Sequence, residues 1–406
     1  MKQGWEIKPL SEVCSLFTDG NWIESKDQSI EGIRLIQTGN IRQGEYFDKS
    51  DKARFISEET FIRLKCTEVL IGDILVSRLP EPVGRSCIIP DIDAKMITAV
   101  DCTIIRANKH LFREFLRYYQ LSNKYLIDVD SRTTGTTRSR ISRKNLGSIQ
   151  IPIPPIDEQK RIVAKLDDCF AAIDKARANV EKNLNNAKEL FQSQLNEIFS
   201  QKGDGWVDKI LDEIGEIQTG TTPSTKDKSN YGDFIPFVKP PHFKPDGSID
   251  AGNSMLSESG LKIGRLFPPN SVLMVCIGAT IGKTGFTETA VSSNQQINCL
   301  TPNENYYPKL LYYGLISPFV QKQVADIGRG AQATLPIINK TKWQGLSINI
   351  PESKSEQNKI VKQLDDLKSQ TQSLESNYQQ ELEALDELKK SILQKAFRGE
   401  LTIDNG

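Results

Sequence analysis

Histidine is almost missing from this chain: 406 residues contain two, His110 and His242. That scarcity argues against a His-ligated zinc site and against Ser-His-Asp or Cys-His catalysis. The seven cysteines, at 14, 66, 87, 102, 169, 276 and 299, never form Cys-x-x-Cys. They read as reduced thiols of a cytosolic protein rather than a disulfide framework, and no metal site is expected. Net charge is missing too, because 52 basic residues balance 52 acidic ones. Any nucleic-acid contact must come from local clusters. No run of 18 apolar residues occurs, and the start of the chain, Met1 to Lys8, carries no apolar signal region. A soluble, non-exported, cytoplasmic protein is expected.

Proline and glycine are themselves absent from Ile156 to about Ser200, directly after Ile151-Pro-Ile-Pro-Pro-Ile156-Asp-Glu158-Gln159. Apolar residues there fall on two heptad lines: Leu166, Ile173, Val180, Ala187 and Phe170, Leu184, Phe191, Ile198. Steps of four and three put them on one narrow helical seam. About 45 residues at 1.5 Å each make a rod of roughly 65 Å, which needs a partner for its seam. That partner is in the same chain. Ile360-Val361-x-x-Leu364-Asp365-Asp366 repeats Ile162-Val163-x-x-Leu166-Asp167-Asp168. Heptad-spaced Ile360, Leu367, Leu374, Leu388 and Leu364, Tyr378, Leu385, Ile392 follow, up to Phe397 and Gly399. The expected helix-core residues are Leu166, Phe170, Ile173, Leu184 and Phe191 on one rod, and Leu364, Leu367, Leu374, Leu385 and Leu388 on the other. The Asp167-Asp168 pair reads as solvated helix surface.

The repeat extends beyond the rods. Gly4-Trp5-x-x-Lys8-x-Leu10-x-Glu12 recurs as Gly205-Trp206-x-x-Lys209-x-Leu211-x-Glu213, each leading to a glycine, Gly20 or Gly220. Asp73 and Ser271, Val83 and Ile281, Glu158 and Glu356 each lie 198 positions apart in matching contexts. A period that long signals duplication of a whole module rather than a solenoid. The modules read as mixed α and β, with short strands at 33–36, 74–76, 85–89 and 103–105 and a helix at 111–121. The second copy shows strands at 236–238, 272–275 and 285–287 and a helix at 308–317. Boundaries follow at 1–150, 151–200, 201–349 and 350–406.

Two stretches resemble catalytic loops without matching them. Gly278 to Thr284 has three residues between its glycines where a phosphate-binding loop needs four, so it reads as strand–turn–strand. Lys239-Pro240-Pro241-His242-Phe243 resembles only faintly the Asn/Asp-Pro-Pro-Tyr/Phe loop of amino-methyltransferases, since Lys replaces the polar acceptor. The informative cluster is basic: Ser131 to Arg140, then Arg143 and Lys144, with five cationic groups and no acid. Such a loop can offer guanidinium, hydroxyl and backbone N–H donors to phosphates and base edges. The candidate DNA contacts are Arg78, Arg85, Thr133, Thr134, Gly135, Thr136, Thr137, Arg138 and Arg140 in the first module. In the second they are Lys239, Lys283, Asn294, Gln295, Arg329, Gly330, Gln332 and Thr334.

Two variable globules, each followed by a Gly-Thr-like loop and by a Glu-Gln-x-x-Ile-Val helix start, resemble the specificity subunit of type I restriction–modification enzymes. The resemblance covers nearly the whole chain and is most specific at Ile151–Asp168 and Ile350–Asp366. The second copy departs where Pro-Pro-Ile-Asp becomes Glu352-Ser-Lys-Ser355. The resemblance implies an α+β chain: two similar mixed α/β target recognition domains separated by two long helices in an antiparallel coiled coil with a pseudo-two-fold repeat. It implies a non-catalytic subunit reading a bipartite, asymmetric double-stranded DNA target. Two methyltransferase and two motor-nuclease subunits would bind it, carrying the S-adenosylmethionine, ATP and magnesium that this chain would not. A coiled-coil adaptor without DNA readout is the alternative the residues leave open.

Overall fold

The computed structural model describes residues 4–135, 138–200, 203–329 and 336–401. Its contacts divide the chain into two units, residues 1–180 with 380–406, and residues 181–379. Both long helices form as expected, at Ile156–Phe199 and Lys354–Arg398. Each is shared: the start of a helix belongs to the unit it leaves and its end belongs to the other unit.

The first unit has a four-stranded antiparallel sheet in the order Cys14–Asp19, Cys102–Ala107, Ile74–Ser77, Ser86–Ile88. A three-stranded sheet, Arg54–Ile56, Ile33–Ile36, Met96–Thr98, pairs its last two strands in parallel. A ribbon of Glu6–Pro9 on Gln150–Ile153 brings the two ends of the module together. The second unit repeats this plan. Its main sheet runs Gly215–Thr219, Ile297–Pro302, Ser271–Val275, Thr284–Thr287. Met255–Leu256, Tyr231–Val238 and Ser292–Ser293 make the smaller sheet, and Trp206–Ile210 pairs with Ser347–Pro351. The Gly20 and Gly220 signals come at the ends of strands. A Cβ on Gly20 would sit 2.2 Å from the Thr98 carbonyl oxygen, and one on Gly220 2.1 Å from that of Asn294, so only glycine lets the backbones meet there.

The repeated Glu-Gln motif also has a mechanical cause. The Gln159 carboxamide accepts from Phe112 N (2.8 Å) and donates to His110 O (2.9 Å) and Pro154 O (2.8 Å). Gln357 does the same with Tyr307 N, Asn305 O and Pro351 O. Both side chains are fully buried. Each therefore staples the loop before the module's helix (Arg113–Gln120 or Pro308–Ile316) onto the start of the long helix. Glu158 accepts from the Trp5 indole at 3.2 Å, tying the start of the first module to the first long helix.

The long-helix seam is close to the heptad reading but shifts along its length. Leu166, Ile173 and Leu364 are buried, while Phe170, Leu184, Phe191, Leu367 and Leu385 are half-buried. Leu374 and Leu388 are exposed, at 39% and 46%, which corrects their assignment to the seam. A strict heptad drifts about 20° per repeat around a straight helix, so a line that begins inside ends outside. Buried Thr371, Leu393 and Ala396 take over the stripe. In the first unit the helix segments run antiparallel: Asp174 pairs with Lys389 at 2.5 Å, and Arg177 pairs with Asp386. Gly399, at φ +80°, ends the second helix, with Glu400 N donating to Lys395 O at 2.9 Å.

Asp167 lies on the exposed helix surface, as its sequence context suggested, with its side chain 57% exposed, and it also has a specific partner. It accepts the Tyr118 hydroxyl, and Asp365 accepts that of Tyr313 in the second unit. Burial and then this bond push the Tyr118 phenol up to about 12. The seven cysteines are free thiols, and burial raises Cys87, Cys102, Cys276 and Cys299 to about 12.

Candidate nucleic-acid interface

In the first unit four charged residues meet where strands end. Cys14–Asp19 finishes at Asp19, Ile74–Ser77 hands on to Arg78, and Asp101 precedes Cys102–Ala107. Arg140 closes the basic loop. Arg78 Nη2 lies 3.2 Å from Asp19 Oδ2, and Arg140 Nη2 lies 3.1 Å from Asp101 Oδ1. The backbone locks the pairs side by side: Arg78 N donates to Asp101 O (2.9 Å), and Ile141 N donates to Arg78 O (3.3 Å). Thr103 Oγ1 holds the other side of Asp19 at 2.9 Å. Burial pulls the buried Arg78 guanidinium below its usual range, and Asp19 offsets part of that pull. Arg78, which also donates to Val100 O, therefore braces the loop and has little reach toward a ligand.

The basic loop is a closed turn. Thr134 and Arg140 exchange backbone hydrogen bonds of 2.9 and 2.8 Å, and Thr133 Oγ1 donates to Val129 O at 2.8 Å. Gly135 takes φ +106°, a conformation that favours glycine. Arg138 and Arg140 are exposed on it. Thr136 and Thr137 lie outside the described residues. Two guanidiniums on a braced hairpin suit bidentate contacts to phosphates or to guanine edges.

Arg85 corrects its sequence assignment. It is buried, and its guanidinium donates to four main-chain carbonyls: Ile41 (2.7 Å), Leu79 (2.8 Å), Thr38 (2.9 Å) and Pro82 (3.1 Å). A DNA contact would forfeit those bonds in a desolvated place, so Arg85 clamps the 38–41 turn to the 79–82 loop.

The second unit places uncharged residues at the equivalent points. The strand registers align Asp19 with Thr219 and Thr103 with Asn298. Cys276 takes the place of Arg78: its N donates to Gln296 O (2.7 Å) and its O accepts from Ile338 N (2.8 Å). Gln296 thus stands for Asp101 and Ile337 for Arg140. Thr219 Oγ1 donates to Asn298 Oδ1 at 2.8 Å. Among the proposed contacts, Lys283 is exposed on the turn between Ser271–Val275 and Thr284–Thr287. Lys239 is half-buried, with its ammonium 5.4 Å from the centre of the Phe237 ring. Asn294 spends its amide on Gln296, Nδ2 to Oε1 at 2.8 Å, whereas Gln295 is exposed and accepts from Thr222 Oγ1. Arg329 ends the helix Pro318–Arg329, and Gly330, Gln332 and Thr334 lie outside the described residues. Sequence reasoning missed Asp19 and Asp101. Their only signal was an acidic residue beside a strand end, one of many in the chain.

A sequence profile described as the type I restriction modification DNA specificity domain matches residues 2–183 and again 203–384. The HindI specificity subunit of Haemophilus influenzae is 34% identical over 139 residues, 34% of this chain and 30% of that relative. The EcoKI specificity subunit of Escherichia coli is 22% identical over 99% of this chain and 90% of its own length. Among solved structures, the HsdS subunit from Thermoanaerobacter tengcongensis shares the fold with TM-score 0.67 at 21% identity, over 99% of this chain and 98% of that one. A chain from a structure of type I R-M complex assembly superposes with TM-score 0.80 at 22% identity, with 99% of both chains covered. With the profile matched once on each half of the internal repeat, this chain belongs to the type I restriction modification DNA specificity domain family.

Proposed function

We propose that the chain is the sequence-reading subunit of a type I restriction–modification complex, and that each unit recognises one half of a split, asymmetric DNA target. The observation that carries this is the contrast between the units. They repeat strand for strand and share the Gln and Tyr–Asp anchors to the long helices, yet one strand-end cluster is Asp19, Arg78, Asp101, Arg140 and the other Thr219, Cys276, Gln296, Ile337. A duplicated scaffold with two different edges suits two different half-sites, since base edges are told apart by the donors and acceptors offered to them.

In this reading the chain performs no catalysis. It recruits methyltransferase and motor-nuclease subunits, two of each, and S-adenosylmethionine, ATP and magnesium bind to those partners in the cytoplasm. The test is methylome mapping of cells expressing the chain with its modification partner. The expected motif is interrupted, with unlike halves. A continuous motif, a palindromic one, or no modification overturns the reading. An adaptor without DNA readout would in addition leave the assembled complex with no salt-dependent DNA affinity.

A further inference from the structure

We infer that the first unit holds a pocket for a single backbone phosphate of DNA, apart from the basic loop; this rests on the DNA-reading role proposed above. The pocket has a volume of about 150 Å³ and lies against the turn Gln37–Asn40. Arg34, Lys49, Lys52 and Arg54 line it together with Gln37 and Thr38, and no carboxylate does. Typical small-molecule sites take about 300–1,000 Å³, so this one admits a group of phosphate size and not a nucleotide.

Two further features mark it as built for an anion. Arg34 is 8% exposed, and its buried Nε has no hydrogen-bond partner. Its Nη2 meets Asp48 at 3.0 Å, and because the Asp48 side chain is 56% exposed the pair leaves the cationic wall only partly neutralised. The turn is also fixed. Asn40 Oδ1 accepts from Gln37 N (3.0 Å), and Arg85 grips Thr38 O and Ile41 O. Arg85 further ties this turn to the 79–82 loop, next to Arg78, whose carbonyl accepts from Ile141 beside Arg140. One chain of hydrogen bonds thus links the pocket to the basic loop, so a duplex held at one would be registered at the other.

The second unit replaces two of the pocket's cations and gains one at another point: Ser254 stands for Arg54, and Lys239 stands for Gln37. In its strand register Pro236 stands for Arg34, and Pro240, Pro241 and His242 replace Thr38, Gly39 and Asn40.

The experiment uses the assembled complex and the triple variant Lys49→Ala, Lys52→Ala, Arg54→Ala, with the buried Arg34 left intact. Affinity for target and non-target duplexes is measured from 50 to 200 mM salt. Each lost phosphate contact lowers the slope of log affinity against log salt by about 0.9. A slope reduced by about one, equally on both duplexes and with unchanged thermal unfolding, is expected. A methylphosphonate scan of the half-site read by this unit should find one neutralised phosphate that weakens the parent complex and not the variant. Tight DNA binding with an unchanged slope overturns the pocket while leaving the DNA-reading role intact. So does a pocket that binds inorganic phosphate, seen by NMR shifts, without any change in DNA affinity. A parent complex that binds no DNA overturns both.

Discussion

The two units are alike where they meet the long helices and unlike where their sheets end. Gln159 and Gln357 make the same three bonds, and Tyr118–Asp167 matches Tyr313–Asp365. Phe397 on the first unit stands 198 positions after Phe199 on the second, each supplied by the end of a long helix. Against this, an ion-pair quartet faces a neutral one, and the buried clamp Arg85 faces the exposed Lys283. Anchors must fit one partner surface, and a substitution there leaves buried donors orphaned. Strand ends are free of that constraint, so a duplicated module can change what it reads without changing what it is attached to.

The largest expected effect tests the helix exchange. Phe199 is fully buried among residues of the second unit although its helix starts in the first. Phe199→Ala should cost about 3–5 kcal/mol, as large aromatic truncations do. Phe397→Ala should cost less, because its ring is only half-buried, edge-on to Phe115 (5.3 Å) and Tyr119 (5.2 Å). Hydrogen exchange should report Phe199→Ala as lost protection in strands 215–219 and 271–275. Loss confined to the strands of the first unit would break the correspondence between the modules.

A smaller effect separates the two strand-end clusters. Asp19→Asn leaves the buried Arg78 guanidinium without its counter-ion. Breaking a buried pair costs about 3–5 kcal/mol, and the partial exposure of Asp19 argues for roughly 2–3. Thr219→Val, at the equivalent point, removes one neutral hydrogen bond and should cost about 1 kcal/mol. Urea unfolding of both variants measures the difference. Equal costs would mean that the charged cluster is no better coupled than the neutral one.

Much of this was legible in the sequence because it is periodic or repeated. The rods follow from heptad spacing, and the module plan follows from three motif pairs held at one interval. The strands Ile33–Ile36 and Ile74–Ser77 and the helix Pro308–Ile316 were all visible as local patterns. Leu374 and Leu388 were misplaced because a strict heptad ignores helical drift. Asp167 was placed correctly on the helix surface, but its tyrosine partner was hidden because it lies 49 residues away. The role of Arg85 was equally hidden: a basic residue after glycine looks the same whether it faces solvent or four carbonyls, and only the fold decides.

The smallest effect asks what Arg140 contributes beyond charge. Its pair with Asp101 is part-exposed, with the Arg140 side chain at 44%, so Arg140→Lys should move folding stability by less than about 1 kcal/mol. Lysine keeps the cation but loses the planar fork that matches a guanine edge. If Arg140 reads a base, the variant complex should keep its overall affinity and salt slope while losing about 1 kcal/mol of discrimination at one base pair, in the half-site of the first unit only. The reciprocal change, Ile337→Lys, puts a cation at the equivalent exposed point of the second unit. It should strengthen binding to all duplexes alike, because an added point charge meets phosphate without reading sequence. Competition between target duplexes altered one base pair at a time distinguishes these outcomes. Unchanged discrimination in Arg140→Lys would assign Arg140 to the phosphate backbone and leave Arg138 as the base-reading candidate on that loop.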